Sequence, residues 1–416
     1  MSFVNYVADR TRDTPVNLAM ARVVLAGYLV WRTFWFDWHA RMEVPYVAFE
    51  EYAFVLPPNA TVLVVEQWLL IATLLAVLVG YRLRWTATLA AVLVGHLATV
   101  RFTLDAHGSV TALFLGVYFL VFFALFAEQD ELSADGVRRT GDRELGSLVD
   151  RLKRSSRGTY RADALTYSLL AVAILYFGSG FDKLAAGGLG WAEASNLSRI
   201  LSVRSVIYDQ PIPLGVELVN YPLAVEAMAV STLVLELGLL VAVLARRSVT
   251  LFFLGLLAMK VGILLTMGIF FGDVFLLFAL FLAWDRLYER LVSDRPVDLV
   301  FDERCYFCAR SLYPFKLLDV NDTVTFYSQS DVPKRYRERT DVDFDAAMFL
   351  FDDGEAHRGY DAFRELLRQF RVFAPLAWVM GLTPVAAVGE RVYGYVAENR
   401  NRHFTCSIDP DGDLSQ

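Results

Sequence analysis

The feature that most constrains this chain is a series of long apolar runs separated by clusters of charge. Each run approaches the roughly 20 residues that an α-helix needs to cross a bilayer. A water-soluble core cannot ordinarily hide so much apolar side chain, whereas lipid accepts it on the outside of helices. The sequence therefore predicts a polytopic α-helical membrane bundle of about eight spans within residues 1–290: Leu18–Trp35, Val62–Gly80, Thr86–Thr103, Val110–Ala127, Ala164–Phe181, Leu223–Ala245, Val249–Phe270 and Val274–Trp284.

Composition supports this prediction and excludes two other classes of protein. Of the 416 residues, 56% are hydrophobic and only 20% are charged, which is unusual for soluble domains. The net charge of -7 argues against a nucleic-acid partner, because phosphate binding requires a basic surface. Three cysteines are too few for a disulfide scaffold. The predicted partner of the apolar region is the lipid bilayer.

Lysine and arginine are enriched in cytoplasmic loops, so their positions predict orientation. They precede the first run and follow every second run, whereas the intervening loops are poorer in them. The pattern predicts a multi-pass protein of the cell membrane with both termini in the cytoplasm. The long connection Asp182–Pro222 is aromatic and apolar, and it is predicted to be a folded lid or re-entrant piece on the outer face.

The pattern changes after Pro296. A short β-rich run, Val297–Phe301, leads into Cys305-Tyr306-Phe307-Cys308 and then a helical stretch through Leu318. Strand, Cys-x-x-Cys and helix in this order are typical of a thioredoxin-like redox site. A cysteine at a helix amino terminus has a stabilised thiolate, which makes Cys305 the predicted nucleophile and Cys308 the resolving thiol. We predict an α/β thioredoxin-like domain over 296–403 and a tail over 404–416.

Three separated motifs carry a family resemblance in this region. Asp302-x-x-Cys305-x-x-Cys308, then Gly359-Tyr360-Asp361-Ala362-Phe363, then the segment 392–400 resemble the DCC family of thiol–disulfide oxidoreductases. The resemblance covers about residues 297–402 and implies a thiol redox partner. The chain departs from the family at Glu303-Arg304, where Gly-Asp is usual and glycine would give the turn backbone freedom.

Other interpretations of the cysteines remain open. With His403 and Cys406 they would supply four zinc ligands, although the two pairs are far apart in sequence. The pair could also be vestigial. A reducing cytoplasm would keep a redox pair as a dithiol at rest, and the favoured hypothesis is redox chemistry with no metal.

Ionisable residues inside spans are costly and therefore mark candidate sites. Arg22 and His96 are predicted to be structural, through pairing or a hydrogen bond between helices. Lys183 stands apart because it follows Tyr176, Phe177 and Gly180 and precedes Trp191. A lysine desolvated among aromatic rings can lose its proton and act as a base.

The stretch Tyr176-Phe177-x-x-Gly180-x-x-Lys183-Leu184 resembles vitamin K-dependent γ-glutamyl carboxylase and the wider horizontally transferred transmembrane family. The resemblance covers roughly Asn17–Arg286, with a weaker local match at Asp105-Ala106-His107-Gly108. It implies a quinone of the menaquinone or vitamin K type, with Lys183 as base and His107 orienting a ring oxygen. The predicted cofactor-binding residues are Tyr176, Trp191 and Glu236, and Glu236 or Glu226 would be the buried proton partner.

The resulting hypothesis is an integral membrane oxidoreductase that joins a quinone-binding bundle, with epoxidase-type activity, to a cytoplasmic thiol–disulfide domain. Nothing in the chain corresponds to the large lumenal region of the carboxylase, which argues against carboxylation of a protein. The alternative is a non-catalytic lipid-binding or scaffold bundle that tethers the cysteine domain. A transporter is least favoured, since the spans show no inverted repeat.

Overall fold

The structure is a computed structural model that describes residues 14–43, 47, 49–57, 59–104, 111–154, 162–207, 213–339, 342–344 and 346–403. In chain order its α-helices are α1 Pro15–Phe34, α2 Trp38–Met42, α3 Ala60–Val79, α4 Leu83–Leu104, α5 Thr111–Leu125, α6 Ala134–Thr140, α7 Leu145–Lys153, α8 Asp163–Gly187, α9 Ala194–Ile207, α10 Pro213–Leu218, α11 Pro222–Ala245, α12 Val249–Met267, α13 Asp273–Phe281, α14 Trp284–Glu289, α15 Tyr306–Leu318, α16 Lys334–Arg337, α17 Tyr360–Arg368, α18 Ala374–Met380 and α19 Thr383–His403.

The strands are β1 Val297–Phe301, β2 Val324–Ser328, β3 Phe349–Asp352 and β4 Glu355–Arg358. Short 3₁₀ helices cover Glu50–Val55, Ala127–Gln129, Gly188–Ala192, Gln329–Asp331 and Arg371–Phe373. The described chain divides into two compact units. The first holds most of 17–133 and 162–283, and the second holds 134–154 and most of 284–403.

The first unit is helical, and the described part of each predicted apolar run lies largely on a helix. Among the described residues, five helices are long and apolar enough to cross a membrane: Ala60–Val79, Leu83–Leu104, Asp163–Ala192, Pro222–Ala245 and Val249–Met267. The predicted first span, α1, carries Arg22 and Arg32 and is not among the five. Helices α5 and α13 have only 15 and 9 residues. The helical region is therefore confirmed with five candidate spans, and the number eight stays a prediction.

The connection predicted to be a folded lid is helical in its described part. Helix α8 continues to Gly187, so Lys183 lies within it rather than in a loop. The 3₁₀ helix Gly188–Ala192 and helices α9 and α10 complete the segment. Its position on the outer face stays a prediction.

Charged groups of the first unit pair across helices, as predicted for Arg22 and His96. Arg22 Nε lies 2.6 Å from Asp130 Oδ2, with both side chains buried. His96 Nδ1 lies 2.8 Å from Glu66 Oε2. The prediction that Glu226 is buried is wrong, because this residue is exposed on α11.

The second unit is built on a small mixed sheet in the order β2-β1-β3-β4. Strand β1 is parallel to β2 and antiparallel to β3, which forms a hairpin with β4. The hairpin turns at Asp353 and Gly354, whose φ angles of 45° and 90° suit the Asp-Gly turn found in the sequence. The central strands β1 and β3 carry the buried aliphatic and aromatic residues of the core.

Helices α6 and α7 belong to this second unit, although they come long before β1 in the sequence. Gly141, which follows α6, contacts Tyr306 of α15 across a separation of 165 residues. Helix α7 packs against α15 and β2. The domain predicted over 296–403 does not include this segment, because the sequence prediction assigns it to the membrane region, residues 1–290.

Candidate functional site

A cysteine pair lies where β1 passes into α15. Cys305 is the residue that caps the amino terminus of α15, and it is disulfide-bonded to Cys308 in the first turn. The Cα–Cα distance of 5.2 Å lies within the ordinary range for a disulfide. The predicted strand, Cys-x-x-Cys and helix therefore occur in the predicted order.

The helix terminus favours negative charge on the first sulfur. The backbone N–H of Cys308 donates a hydrogen bond to Cys305 Sγ at 3.2 Å. Together with the positive end of the helix dipole, this bond stabilises a thiolate at Cys305 once the disulfide is reduced. Cys305 is only 1% exposed, whereas Cys308 is half-buried. Cys308 is thus the more accessible sulfur of the oxidised pair.

The turn before Cys305 forms without the family's glycine. Arg304 N–H donates to Asp302 Oδ1 at 2.9 Å, and Cys305 N–H donates to the Asp302 carbonyl at 3.2 Å. Neither Glu303 nor Arg304 has a positive φ, so glycine's conformational freedom is not required here.

Glu303 connects this turn by a hydrogen bond to the residues that follow β2. Ser330 Oγ donates to Glu303 Oε2 at 2.7 Å. Burial alone would raise the pKa of Glu303, but hydrogen bonds from Ser328 and Ser330 outweigh it and hold the pKa below its usual value. The carboxylate beside the cysteine pair is therefore ionised over the physiological range.

The α6–α7 segment contributes to the surroundings of the cysteines. The hydroxyl of Tyr306, which lies between the two cysteines, donates to the carbonyls of Thr140, at 3.2 Å, and Gly141. Lys153 is ion-paired with Asp331, the neighbour of Ser330. The sequence does not predict these contacts, because no local pattern links residues so far apart in the chain.

The described residues show no set of four zinc ligands around these two cysteines. Cys305 and Cys308 are bonded to each other, Cys406 lies outside the described residues, and the side chain of His403 is likewise undescribed.

Elsewhere in the second unit, His357, Asp361 and Glu365 bring potential ligand atoms within 4.8 Å of one another. Arg364 pairs with both carboxylates and Arg368 pairs with Glu365, so this cluster is an ion-pair network.

The first unit contains a cavity of about 870 Å³ between α8, α9, α11 and α12. Its wall is mostly apolar, with a few charged and polar side chains. This size and lining are typical of sites for small apolar ligands. Tyr176, Lys183, Trp191 and Glu236, four residues singled out in the sequence, all line it.

Lys183 lines the cavity and bonds to two other polar lining residues. Its Nζ lies 2.7 and 2.9 Å from the two carboxylate oxygens of Glu236, and 2.8 Å from Ser179 Oγ. The ring of Trp191 lies 5.5 Å from the same ammonium. The structure thus brings together three residues predicted separately and adds Ser179, one turn before Lys183.

A glycine allows this ion pair to form. A Cβ added at Gly180 would lie 3.1 Å from Glu236 Cβ and 3.0 Å from Leu237 Cγ. Such contacts are too close for an unstrained helix pair, so glycine lets α8 approach α11. The prediction that glycines bring helices together here is confirmed for Gly180.

Two further charged residues line the cavity. Lys260 Nζ lies 3.7 Å from the ring centre of Phe271 and 5.6 Å from that of Tyr176. Asp273 is 1% exposed, and its Oδ1 makes no hydrogen bond within the described residues. Sequence patterns placed Asp273 in a loop and gave no reason to choose it. His107, predicted to orient a ligand, lies outside the described residues.

The second unit places a cysteine pair at the amino terminus of a helix that directly follows a sheet strand, an arrangement typical of thiol–disulfide redox domains. Residues 299–406 match the family described as DCC1-like thiol-disulfide oxidoreductase. The carboxy-terminal unit therefore carries a thiol–disulfide oxidoreductase-like domain, and the family supports a redox enzyme activity. No curated protein and no solved structure matches the chain.

Proposed function

We propose that the protein is a membrane-anchored thiol–disulfide oxidoreductase whose chemistry is carried by Cys305 and Cys308. The observation that carries the proposal is the cysteine pair at the amino terminus of α15, with a backbone N–H bonded to Cys305 Sγ. The sheet order β2-β1-β3-β4, with this helix directly after β1, supports a thioredoxin-like fold.

The reaction would proceed through a mixed disulfide. The Cys305 thiolate attacks a sulfur of a partner disulfide, which forms a Cys305–partner bond and releases one partner thiolate. The Cys308 thiolate then attacks Cys305 Sγ and releases the second partner thiol. The partner gains two electrons, and the enzyme is left with the Cys305–Cys308 disulfide. A separate reductant of the thiol class returns the pair to the dithiol.

Single-cysteine variants of the full chain test this order of attack. We expect Cys308→Ser to trap a mixed disulfide through Cys305 when membranes are treated with a model disulfide, followed by non-reducing mass analysis. Cys406→Ser is the matched control, with turnover unchanged. A trapped species found with Cys305→Ser rather than Cys308→Ser would reverse the roles, consistent with the greater exposure of Cys308. No trapped species with either variant would refute the proposal.

We propose further that the chain is a multi-pass protein with its cysteine domain in the cytoplasm, on the strength of five candidate spans and the basic loops. Glu355, exposed at the β3–β4 turn, is a suitable reporter position. In a Cys406→Ser background, Glu355→Cys should react with an impermeant maleimide only after the cells are lysed. Labelling of intact cells would show the opposite orientation.

A second function, binding of a quinone in the membrane cavity, is favoured by the shape and polarity of that cavity. Its volume suits a ring with an isoprenoid tail, and the orphaned Asp273 Oδ1 can accept a hydrogen bond from a ligand hydroxyl. Lys183 and Glu236 would hold a ring oxygen, with Tyr176 and Trp191 beside the ring. A bound quinone would supply two-electron redox chemistry within the membrane.

In this proposal Lys183 must first hand its proton to Glu236 before it can accept one from a ligand hydroxyl, since it is held as an ion pair. The close pairing makes such a transfer short. The cavity and the cysteine pair lie in different units, and we propose that each binds its own partner.

Extraction of lipid-soluble cofactors from purified protein tests the second function. We expect a quinone to co-purify with the wild-type chain and with Glu226→Gln, an exposed carboxylate on the same helix. It should be lost from the Lys183→Met/Glu236→Met double variant, which removes both charges together. Absence of quinone from every preparation would leave the bundle as a non-catalytic lipid-binding or scaffold anchor.

A further inference from the structure

The carboxy-terminal unit contains a long stretch without charge. From Val372 to Gly389 the sequence has no Asp, Glu, Lys or Arg. The structure divides it between the end of a 3₁₀ helix, α18 and the first part of α19. In a water-soluble domain, helices with so little polar surface are buried on all sides.

These helices are not buried. Only Ala377 of α18 is inside the protein, while Leu376 is 51% and Trp378 66% exposed. On α19, Val388 and Val392 are more than half exposed, and so is Tyr395. These three positions follow each other at intervals of four and three, which places them on one face of the helix.

The opposite side of α19 is fixed to the sheet domain. The backbone N–H of Met348, next to β3, donates to the Tyr393 hydroxyl at 3.1 Å. Tyr360, at the start of α17, packs so close to Gly389 that a Cβ there would meet its ring. The apolar face is therefore held pointing outward and is not a loosely attached end.

The dimensions of this hairpin, residues 371–398, fit the surface of a bilayer. Its arms, Arg371–Met380 and Thr383–Glu398, are bent by 93°. Each arm is shorter than the roughly 20 residues required to cross, so the hairpin can enter one leaflet without spanning it. Trp378 and Tyr395 are residue types that prefer the membrane interface. Arg371 precedes the uncharged run, and Glu390 followed by Arg391 ends it. The two arginines can reach lipid phosphates.

A lipid surface is also the partner that lies permanently close to this hairpin. The same chain carries five helices suited to cross a membrane, so this domain is tethered at a high effective concentration beside the bilayer. We propose that the 371–398 hairpin docks on the membrane that holds the rest of the chain, with the outward face of α18 and α19 seated at the boundary between headgroups and acyl chains. This docking fixes how the cysteine domain is oriented to the membrane, and it is independent of the activity proposed above.

Site-directed spin labelling of the full chain in vesicles of phosphatidylcholine and phosphatidylglycerol tests the docking. In a Cys406→Ser background with the native pair oxidised, single nitroxides are placed at Leu376→Cys and Val388→Cys. Glu355→Cys, at the water-exposed β3–β4 turn, is the matched control. Collisions with oxygen, which concentrates in lipid, are compared with collisions with a water-soluble nickel chelate.

We expect the labels at 376 and 388 to collide several-fold more with oxygen than with nickel, and the label at 355 to show the reverse. Val392→Cys should repeat the result for α19. Nickel access equal to that of residue 355 would show the face in water and overturn the proposal. Low collision rates with both reagents would show a protein, such as a second copy, on the face and would also overturn it.

Discussion

Lys183 and Glu236 form an ion pair in which the carboxylate is buried and the lysine side chain is 24% exposed. Glu236 is 5% exposed, and its charge is balanced by an ammonium 2.7 Å away. Removing one member of such a pair typically costs about 3–5 kcal/mol, whereas replacing both by apolar residues is often neutral. A single substitution in the pair is therefore expected to cost more stability than replacing both residues together.

We accordingly expect Lys183→Met to lower the free energy of unfolding by about 3–5 kcal/mol, because it leaves Glu236 buried and unpaired. The Lys183→Met/Glu236→Met double variant should recover most of that loss. Unfolding in dodecyl sulfate titrations of detergent-solubilised protein measures both. A single variant as stable as the wild type would contradict the ion pair.

Glu303 predicts a pH dependence of stability. Its pKa is lowered in the folded state, because hydrogen bonds from Ser328 and Ser330 outweigh its desolvation. A lowered carboxyl pKa stabilises the fold above the unfolded value of 4.5 and loses that contribution as the pH falls through the folded value. The melting temperature of Glu303→Gln should thus lie below the wild type at pH 7, and the gap should close under acid conditions. A gap that widens below pH 4.5 would contradict this.

At the residue scale, local chemistry was predictable and long-range partners were not. The Cys305–Cys308 pair follows from a strand, a spacing and a helix that are contiguous in sequence. Glu236 was a candidate partner of Lys183, but so was Glu226. Only their surroundings on α11 distinguish them, because Glu236 faces the cavity and Glu226 is exposed. Asp273 gave no sequence signal because its role depends on burial beside other helices.

At the element scale, the contact between α8 and α11 depends on Gly180 but not on Gly178, two glycines of α8. A Cβ at Gly180 would press on Leu237 and Glu236, while a Cβ at Gly178 would meet nothing within 4 Å. We expect Gly180→Ala to lower the unfolding free energy by about 1–3 kcal/mol through overpacking. Gly178→Ala should be neutral or stabilising by up to about 1 kcal/mol, since alanine favours helix. Equal effects in dodecyl sulfate unfolding would show that the helices are not close at Gly180.

The pattern of apolar residues predicted the positions of the helices more accurately than their lengths. The described part of each run is largely helical, but α13 ends after 9 residues, which a sum of hydrophobicity over 274–284 does not reveal. The uncharged run at 372–389 was not predicted as a separate feature, because the carboxy-terminal region as a whole has an ordinary average charge. Helices α6 and α7 were assigned by position in the chain, whereas contacts such as Tyr306 with Gly141 place them in the other unit.

At the scale of the whole molecule, the chain joins a helical region with five candidate spans to a redox domain that presents an apolar hairpin of its own. This combination is compatible with a thiol–disulfide oxidoreductase-like domain attached to membrane-spanning helices. The family match and the site geometry both point to the pair Cys305 and Cys308 as the redox centre.

A redox titration of that pair tests this statement most directly. Full-length protein in detergent is equilibrated with graded ratios of reduced to oxidised dithiothreitol, quenched with a maleimide and weighed by mass spectrometry. We expect one two-electron transition in the wild type and in Cys406→Ser, between a state with neither Cys305 nor Cys308 modified and a state with both modified. The transition should vanish in Cys308→Ser. A pair that stays reduced at every ratio, or that retains stoichiometric zinc, would contradict the account.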